Sequence, residues 1–440
     1  MNKQSTNFYT ADFQTQAVHL PGFDQAWLVK IRADSASAFS EYGFPSPRAE
    51  EWRYTNISAL EKKRFSPCTE KSHAKIDSAW LHSAQLSDAW SLVFIDGHFS
   101  AELSLLEQLP SSVSIMSMAD ALSTCPERVL AHFSQAVNFR EHGFIAFNDA
   151  WFTDGLFMHI PVKLKLEKPV QLLHIMTRAD AIATTRNLII LDEMAEAQLI
   201  ETFIGLDNAY LTATVNELFI ESNAKLSWYK VQSESDKAYH FGGSYIKQGA
   251  DATFTHHNFA FGGLMARSDI HCDLDRGSAC ELNGLYLGSK RQHIDNHTRI
   301  NHLKPHASSR ELYKGVLDDR ARGVFQGRVV VAENAQNTDS QMNNRNLLLS
   351  NEAEADTKPQ LEIYADDVKC GHGVTVGQLD EQSIFYLQSR CIDEISARNM
   401  LTFAFANEMI NKIKRKNLHD KVLELLLARF PQEGIEKNWL

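Results

Sequence analysis

The sequence predicts a mainly β protein: a β-solenoid core flanked by an N-terminal and a C-terminal helical domain. Three observations predict it. From about Phe157 short β-rich runs alternate with small and polar turns, and long helical periods stop. Within that region a small residue opens a strand-like run at Ala197, Ala224, Ala252, Ala279, Ser309 and Ala335, at intervals of 26 to 30 residues. A steady interval of this size marks a solenoid, in which each coil buries its apolar face only by stacking on the next. After Leu387 helical periodicity returns. The expected divisions are 1–150, 151–387 and 388–440.

In the N-terminal region, Phe23 to Tyr42 carries Trp27, Ile31, Ala38 and Phe39 with polar residues between, which predicts an amphipathic helix ended by Gly43 and Pro45. Thr124 to Phe139 predicts another. Ser91 to Phe99 holds a short apolar run ending near Gly97 and reads as a strand. The core segments LIETFIG, KLSWYKV, TFTHHNFAF and ELNGLYLG are rich in β-branched and aromatic residues, so the repeat is a β array rather than a helical one. A β-sandwich with hairpins of similar length is the alternative. At the C-terminus, Asp393 to Lys414 predicts one helix. Leu418, Val422, Leu425 and Leu426 form one face of a second, ended by Pro431. These helices are expected to cap the open end of the solenoid, to offer a docking stripe, or both.

The chain has 440 residues, 44% apolar and 22% charged, with a net charge of −11. That balance argues against a nucleic-acid-binding surface. The first twenty residues lack a basic start followed by an apolar run, and no run of about 18 apolar residues occurs, so neither a signal peptide nor a membrane span is expected. Six scattered cysteines without a C-x-x-C pair suggest a reduced, cytoplasmic protein. No G-x-x-x-x-G-K-[ST], no strand-borne G-x-G-x-x-G and no G-x-S-x-G is present, so ATP hydrolysis by a P-loop, dinucleotide binding and a serine-hydrolase elbow are not indicated.

The segment KPQLEIYADDVKCGHGVTVGQLD, Lys358 to Asp380, carries the sharpest chemistry. Cys370 and His372 stand two apart, which on a strand puts thiol and imidazole on one face. Thiolate suits iron–sulfur clusters and soft metals, and imidazole is a common second ligand or a proton carrier. Two ligands do not close a four-coordinate site, so other ligands must come from elsewhere in the chain, a partner or solvent. The plain alternative is a buried thiol beside a hydrogen-bonded histidine. Asp366 and Asp367 are adjacent and would face opposite ways, which argues against a shared acid–base site. His293, His297, His302 and His306 have spacings that suit neither one helix face nor one strand face, so a metal site there is the lesser reading. His256, His257 and the HCDLD run at His271 to Asp275 share that weakness. Glu51, Trp52 and Tyr54 are expected to anchor the N-terminal domain, with Trp52 packed and Glu51 exposed or paired.

The Lys358–Asp380 segment resembles the hallmark stretch of the SufB/SufD family, scaffold subunits of an iron–sulfur cluster assembly machine. The resemblance extends to FQGRVVVAENAQNTDSQMNNRNLLLS (Phe325 to Ser350), DNHTRINHLKPHASS (Asp295 to Ser309) and SIFYLQSRCIDEISARNML (Ser383 to Leu401). PRAEEWRYT (Pro47 to Thr55) resembles the opening motif of the SufD branch, and no cysteine-rich N-terminal region of the SufB kind is present. The chain departs from the family pattern at Gly371, where Ser is usual, and at Cys391, where Gly is usual.

The resemblance implies a right-handed parallel β-helix and a non-catalytic accessory subunit of a SufB–SufC–SufD complex. It places Cys370 and His372 where SufD meets SufB, as ligands to a nascent, transient cluster completed by a SufB cysteine. It implies docking of the SufC ATPase on the C-terminal helices, carried onto Ile392, Arg398, Leu401 and Phe405, and a homodimer when SufB is absent. Flavin binding is left open. The rival readings are a polysaccharide-acting β-helix enzyme and a stand-alone metal-binding protein built on the histidine cluster.

Overall fold

The computed structural model describes residues 3–11, 13–137 and 143–430. Pro431 and Phe139, expected at helix ends, lie outside the described residues. From Leu156–Ile160 to Lys369–Gly377, successive strands alternate between two sheets, and each pairs in parallel with the strand two places on. Among the described residues each sheet has ten strands. This is the parallel β-solenoid, not the sandwich of hairpins. The register is unbroken along the stack: Leu199, Trp228, His256, Leu282, Glu311, Met342 and His372 form one column.

The repeat originates in the turn that carries the chain from the first sheet to the second. Met194, Asn223, Asp251, Gly277, His306 and Asn337 all have φ of 59–67° there. Each is followed by a small residue exposed by at most 1%: Ala195, Ala224, Ala252, Ser278, Ala307 and Thr338. A left-handed residue reverses the chain, and only a small side chain fits beneath the reversal. Ala224 and Ala252 are therefore the repeat residues anticipated from the sequence. Ala197, Ala279, Ser309 and Ala335 miss that position by one to three residues, because coil length varies.

The sheets bury their inner faces against each other. Leu172, Leu199, Leu226, Phe254 and Leu282 from one sheet meet Ile189, Leu218, Ile246, Ile270 and Ile300 from the other. A polar seam runs beside this core. Asn187 bonds Asn216 at 2.6 Å, Asn258 bonds Asn296 at 2.9 Å, and Thr298 donates to Glu311 at 2.6 Å. Partners on the paired strand or on the facing sheet make such burial tolerable.

The outer faces are covered as well, so Leu211–Ile220 is buried along its whole length. Helices Ala26–Tyr42 and Gly143–Trp151 bring Phe39, Phe144 and Phe147 onto Leu211, Tyr239 and Phe241 of the first sheet. Buried Arg186 ties this layer down, holding Asp149 at 2.6 Å and Glu217 at 2.7 Å. Helices Glu394–Ile410 and Lys416–Leu427 lay Ala406, Met409, Ile410, Leu418, Val422 and Leu426 on Tyr229, Phe259, Leu285 and Val316 of the second sheet. The C-terminal helices thus clothe a flank of the solenoid rather than capping its end. The reason is apolar area: several coils offer an outward aromatic or aliphatic row, whereas the terminal coil offers few such residues.

The two ends differ. At the N-terminal end Trp90–Ile95 and Ser114–Ser117 extend the sheets, and His98–Leu105 closes one edge in antiparallel fashion. At the other end Glu354–Ile363 and Lys369–Gly377 are the last strands of their sheets, and nearly all of their residues are half-buried or exposed.

Candidate functional site

The strand Lys369–Gly377 lies on Asp339–Leu348 with Ser340 opposite Cys370 and Met342 opposite His372. Ser340 and Met342 are each 1% exposed and face the interior. Alternation gives Cys370, His372, Val374 and Val376 the same inward side. Among the described residues no further coil lies above them, so the same positions that are sealed one coil earlier here open outward. Cys370 is half-buried and packs on the core, and His372 is exposed. Across the mouth, Leu361 of Glu354–Ile363 also packs on the core, in register with Val329.

Burial pushes the Cys370 thiol up, and a hydrogen bond from the Ser340 backbone opposes that shift. Below the mouth a polar chain leads inward: His302 Nε2 contacts Ser309 Oγ at 2.9 Å, and Ser309 donates to Ser340 Oγ at 2.8 Å. Burial lowers His302 to about 4, so this imidazole is neutral. Gly371 and Gly373 take the outer side, where an added Cβ would stand 3.2 Å from Gln341 Oε1 and 2.9 Å from Asn343 Oδ1. At 373 a side chain would need the Asn343 amide to turn aside; at 371 the fit is tight.

The other sequence candidates are dispersed. His293 bonds Thr55 and His297 bonds Arg267 on the outer face, His302 is interior, and His306 sits in a turn at φ 65°. His256 faces inward against Trp228, while His257 stacks outward on Tyr229, with rings 4.8 Å apart. Among the described residues no three His, Cys, Asp or Glu side chains are grouped to hold a metal ion. Asp367 anchors a turn through Gln336 and Asn337, and Asp366 is exposed. Cys391 is exposed in a turn at φ 66°.

Ile392, Arg398, Leu401 and Phe405 are all half-buried. Asp393 caps helix Glu394–Ile410 through the Ser396 amide, Arg398 reaches Glu394 and Glu381, and Phe405 packs beneath Lys314, whose Nζ is 4.4 Å from the ring centre. The more open apolar surface lies beside them. Phe385 and Tyr386 of helix Glu381–Gln388 are 71% and 54% exposed, and Ile395 is 49% exposed. The sequence reading carried docking onto Ile392 to Asn411, which includes Ile395, and passed over Phe385 and Tyr386. The structure shows why they are open: helix Glu381–Gln388 buries only Ile384.

The motif Pro47–Thr55 binds the far side of the same coils. Trp52 lies under the Arg267 guanidinium at 3.8 Å. Arg267 and Gln326 donate to Glu51 O, Thr55 donates to Asp295 at 2.6 Å, and Glu50 pairs with Lys358 of the last coil at 2.6 Å.

Comparison with known proteins agrees with this architecture. The SufBD core domain of the SUF system for FeS cluster assembly matches residues 174–405, and the SufBD N-terminal region matches 3–172. The chain belongs to the SufBD family. It is 34% identical to the iron–sulfur cluster assembly protein SufD of Escherichia coli over 88% of this chain and 90% of that one. It is 29% identical to an iron–sulfur cluster assembly SufBD family protein of Synechocystis over 93% and 92%. The SufBD solenoid described here is therefore a SufD-like component of iron–sulfur cluster assembly. Among its described residues no helix is long and apolar enough to cross a membrane.

Proposed function

We propose that this chain is the accessory scaffold subunit of a cytoplasmic SufB–SufC–SufD complex, and that a nascent iron–sulfur cluster is assembled where its last coil meets SufB. The observation that carries this reading is the pairing of an incomplete donor set with an unpaired solenoid end. Cys370 and His372 face a mouth that the chain leaves open, and both terminal strands offer free backbone edges. A second solenoid can add to such edges and bring the missing ligands with it. The cluster is cargo, passed on after assembly. The Cys370 thiol must lose its proton to hold iron, and the bond from the Ser340 backbone favours that state. His372, exposed beside it, is free to ligate or to carry a proton.

The SufC ATPase docks on the C-terminal helices through Ile392, Arg398, Leu401 and Phe405, extended by Ile395, Phe385 and Tyr386. Its ATP-driven closure reshapes the mouth, and the chain itself performs no catalysis. Without SufB the free ends pair as a homodimer. Co-expression with SufB and SufC, capture on this chain and a cluster-formation assay test the reading. His372→Ala should leave the complex assembled and slow cluster formation at least about tenfold, the scale of a lost ligand or its support. An assembled mutant complex that forms clusters at the normal rate refutes the role of His372.

A further inference from the structure

The outward acids of the last coil lean back on arginines of the coil beneath. Arg322 holds Asp356 at 2.6 Å and approaches Glu354 at 3.6 Å. Arg328 holds Glu362 at 2.8 Å, and Arg320 holds Glu352 at 2.7 Å in the preceding turn. Only Arg322 lies in register beneath an acid, Glu354; Asp356 and Glu362 stand over Val324 and Val330 and are reached diagonally by Arg322 and Arg328. The one lysine on this strand, Lys358, is already taken by Glu50. Residues 351–381 carry eight acidic and two basic side chains. Ile363, Tyr364, Val374 and Val376 stand exposed on the same two strands and their connection.

These features divide the work of recognition. The apolar residues and the free strand edges would adhere to any extended edge, and charge decides which one. We infer that this end of the solenoid selects a partner whose edge strand sets basic side chains over Glu352, Asp356 and Glu362, and that it binds a second copy of this chain more weakly than that partner. A basic edge brings each of these acids a second cation from the open side. A second copy related by a two-fold axis brings its own acid row against this one. Paired strands lie about 4.8 Å apart, well inside the screening length of about 10 Å at 0.1 M salt, and like charges at that separation oppose pairing. The arginines hold the same carboxylates from the coil beneath, at 2.6 to 2.8 Å, so they weaken the repulsion and leave the open side of each acid to the approaching edge. This inference rests on the reading that the end is an interface, and it adds the rule for choosing between partners.

Salt dependence tests the rule on the full-length protein without any substitution. Self-association, followed by sedimentation equilibrium, should strengthen about tenfold from 25 to 500 mM NaCl as the acid rows are screened, whereas binding of SufB should weaken over the same range. The variant E352Q/D356N/E362Q should self-associate more tightly than wild type at 25 mM NaCl and lose most of both salt effects. Self-association that weakens with salt, or that the variant leaves unchanged, overturns the rule. If SufB does not bind at all, the proposed complex fails, while the self-association arm still decides whether the acid row repels a second copy. If SufB binds independently of salt and variant, the complex stands and the charge rule falls.

Discussion

Arg267 is buried on the outer face of the first sheet, with its guanidinium over Trp52 and its Nη1 bonded to Asp295 at 2.6 Å and to the Glu51 carbonyl at 2.8 Å. The sequence pointed to Trp52 and Glu51 but not to Arg267, because an arginine among solenoid strands has no local mark of its partner some two hundred residues earlier. Glu311 is a second case. It is 2% exposed, accepts a bond from Thr298, and burial pushes its carboxyl to about 7 from 4.5. Between those values the folded chain keeps a proton that the unfolded chain has lost. The contribution of that proton to stability is complete below about pH 4.5 and is lost as the pH rises through about 7. Glu311→Gln cannot ionise. It should therefore gain on wild type by about 3 kcal/mol between pH 4.5 and pH 8 in urea denaturation. A difference between the two proteins that stays flat across this range would count against the buried, protonated carboxyl.

At the scale of elements, the coil turn is the unit that makes the repeat. Its first position needs φ near 60°, which Asn223, Asp251, Gly277 and Asn337 accept readily and Met194 does not. Met194→Asn should raise stability by about 0.5–1 kcal/mol, read as a higher urea midpoint at unchanged slope. An unaltered or lower midpoint would mean that the turn is not strained at Met194. The small residue that follows was legible in the sequence as a period, although its phase slipped in four of the six places named. A period survives when coils vary between 26 and 31 residues; a phase does not. The alternation that put Cys370 and His372 on one side was legible for the same local reason. Helix Ala26–Tyr42 began three residues later than periodicity suggested, since Phe23 is 61% exposed and packs too little to extend it.

For the whole molecule, the decisive fact is which surfaces are clothed and which are bare. The C-terminal helices cover the outer row of the second sheet, so they are part of its folding and not a detachable dock. A chain ending before Glu394 should expose Tyr229, Phe259, Leu285 and Val316. It should then bind the dye ANS and aggregate, because an exposed apolar patch of that size is a liability. A truncated chain that stays monomeric and dye-free would show that the helices are dispensable. The docking surface is better probed by Ile395→Glu, which alters an exposed side chain and leaves the buried stripe in place.

The sequence by itself determined the stacked-coil class, the helical flanks, the family resemblance and the shared side of Cys370 and His372. Each of these follows from spacing along the chain, which neighbouring residues encode directly. Only the tertiary structure decided that the C-terminal helices lie on a flank, that the last described coil is uncovered, that the histidines part company, and that acids of the last coil pair with arginines of the coil beneath. Those facts depend on which residues meet across hundreds of positions, and a one-dimensional pattern carries no record of such meetings until the coils are stacked.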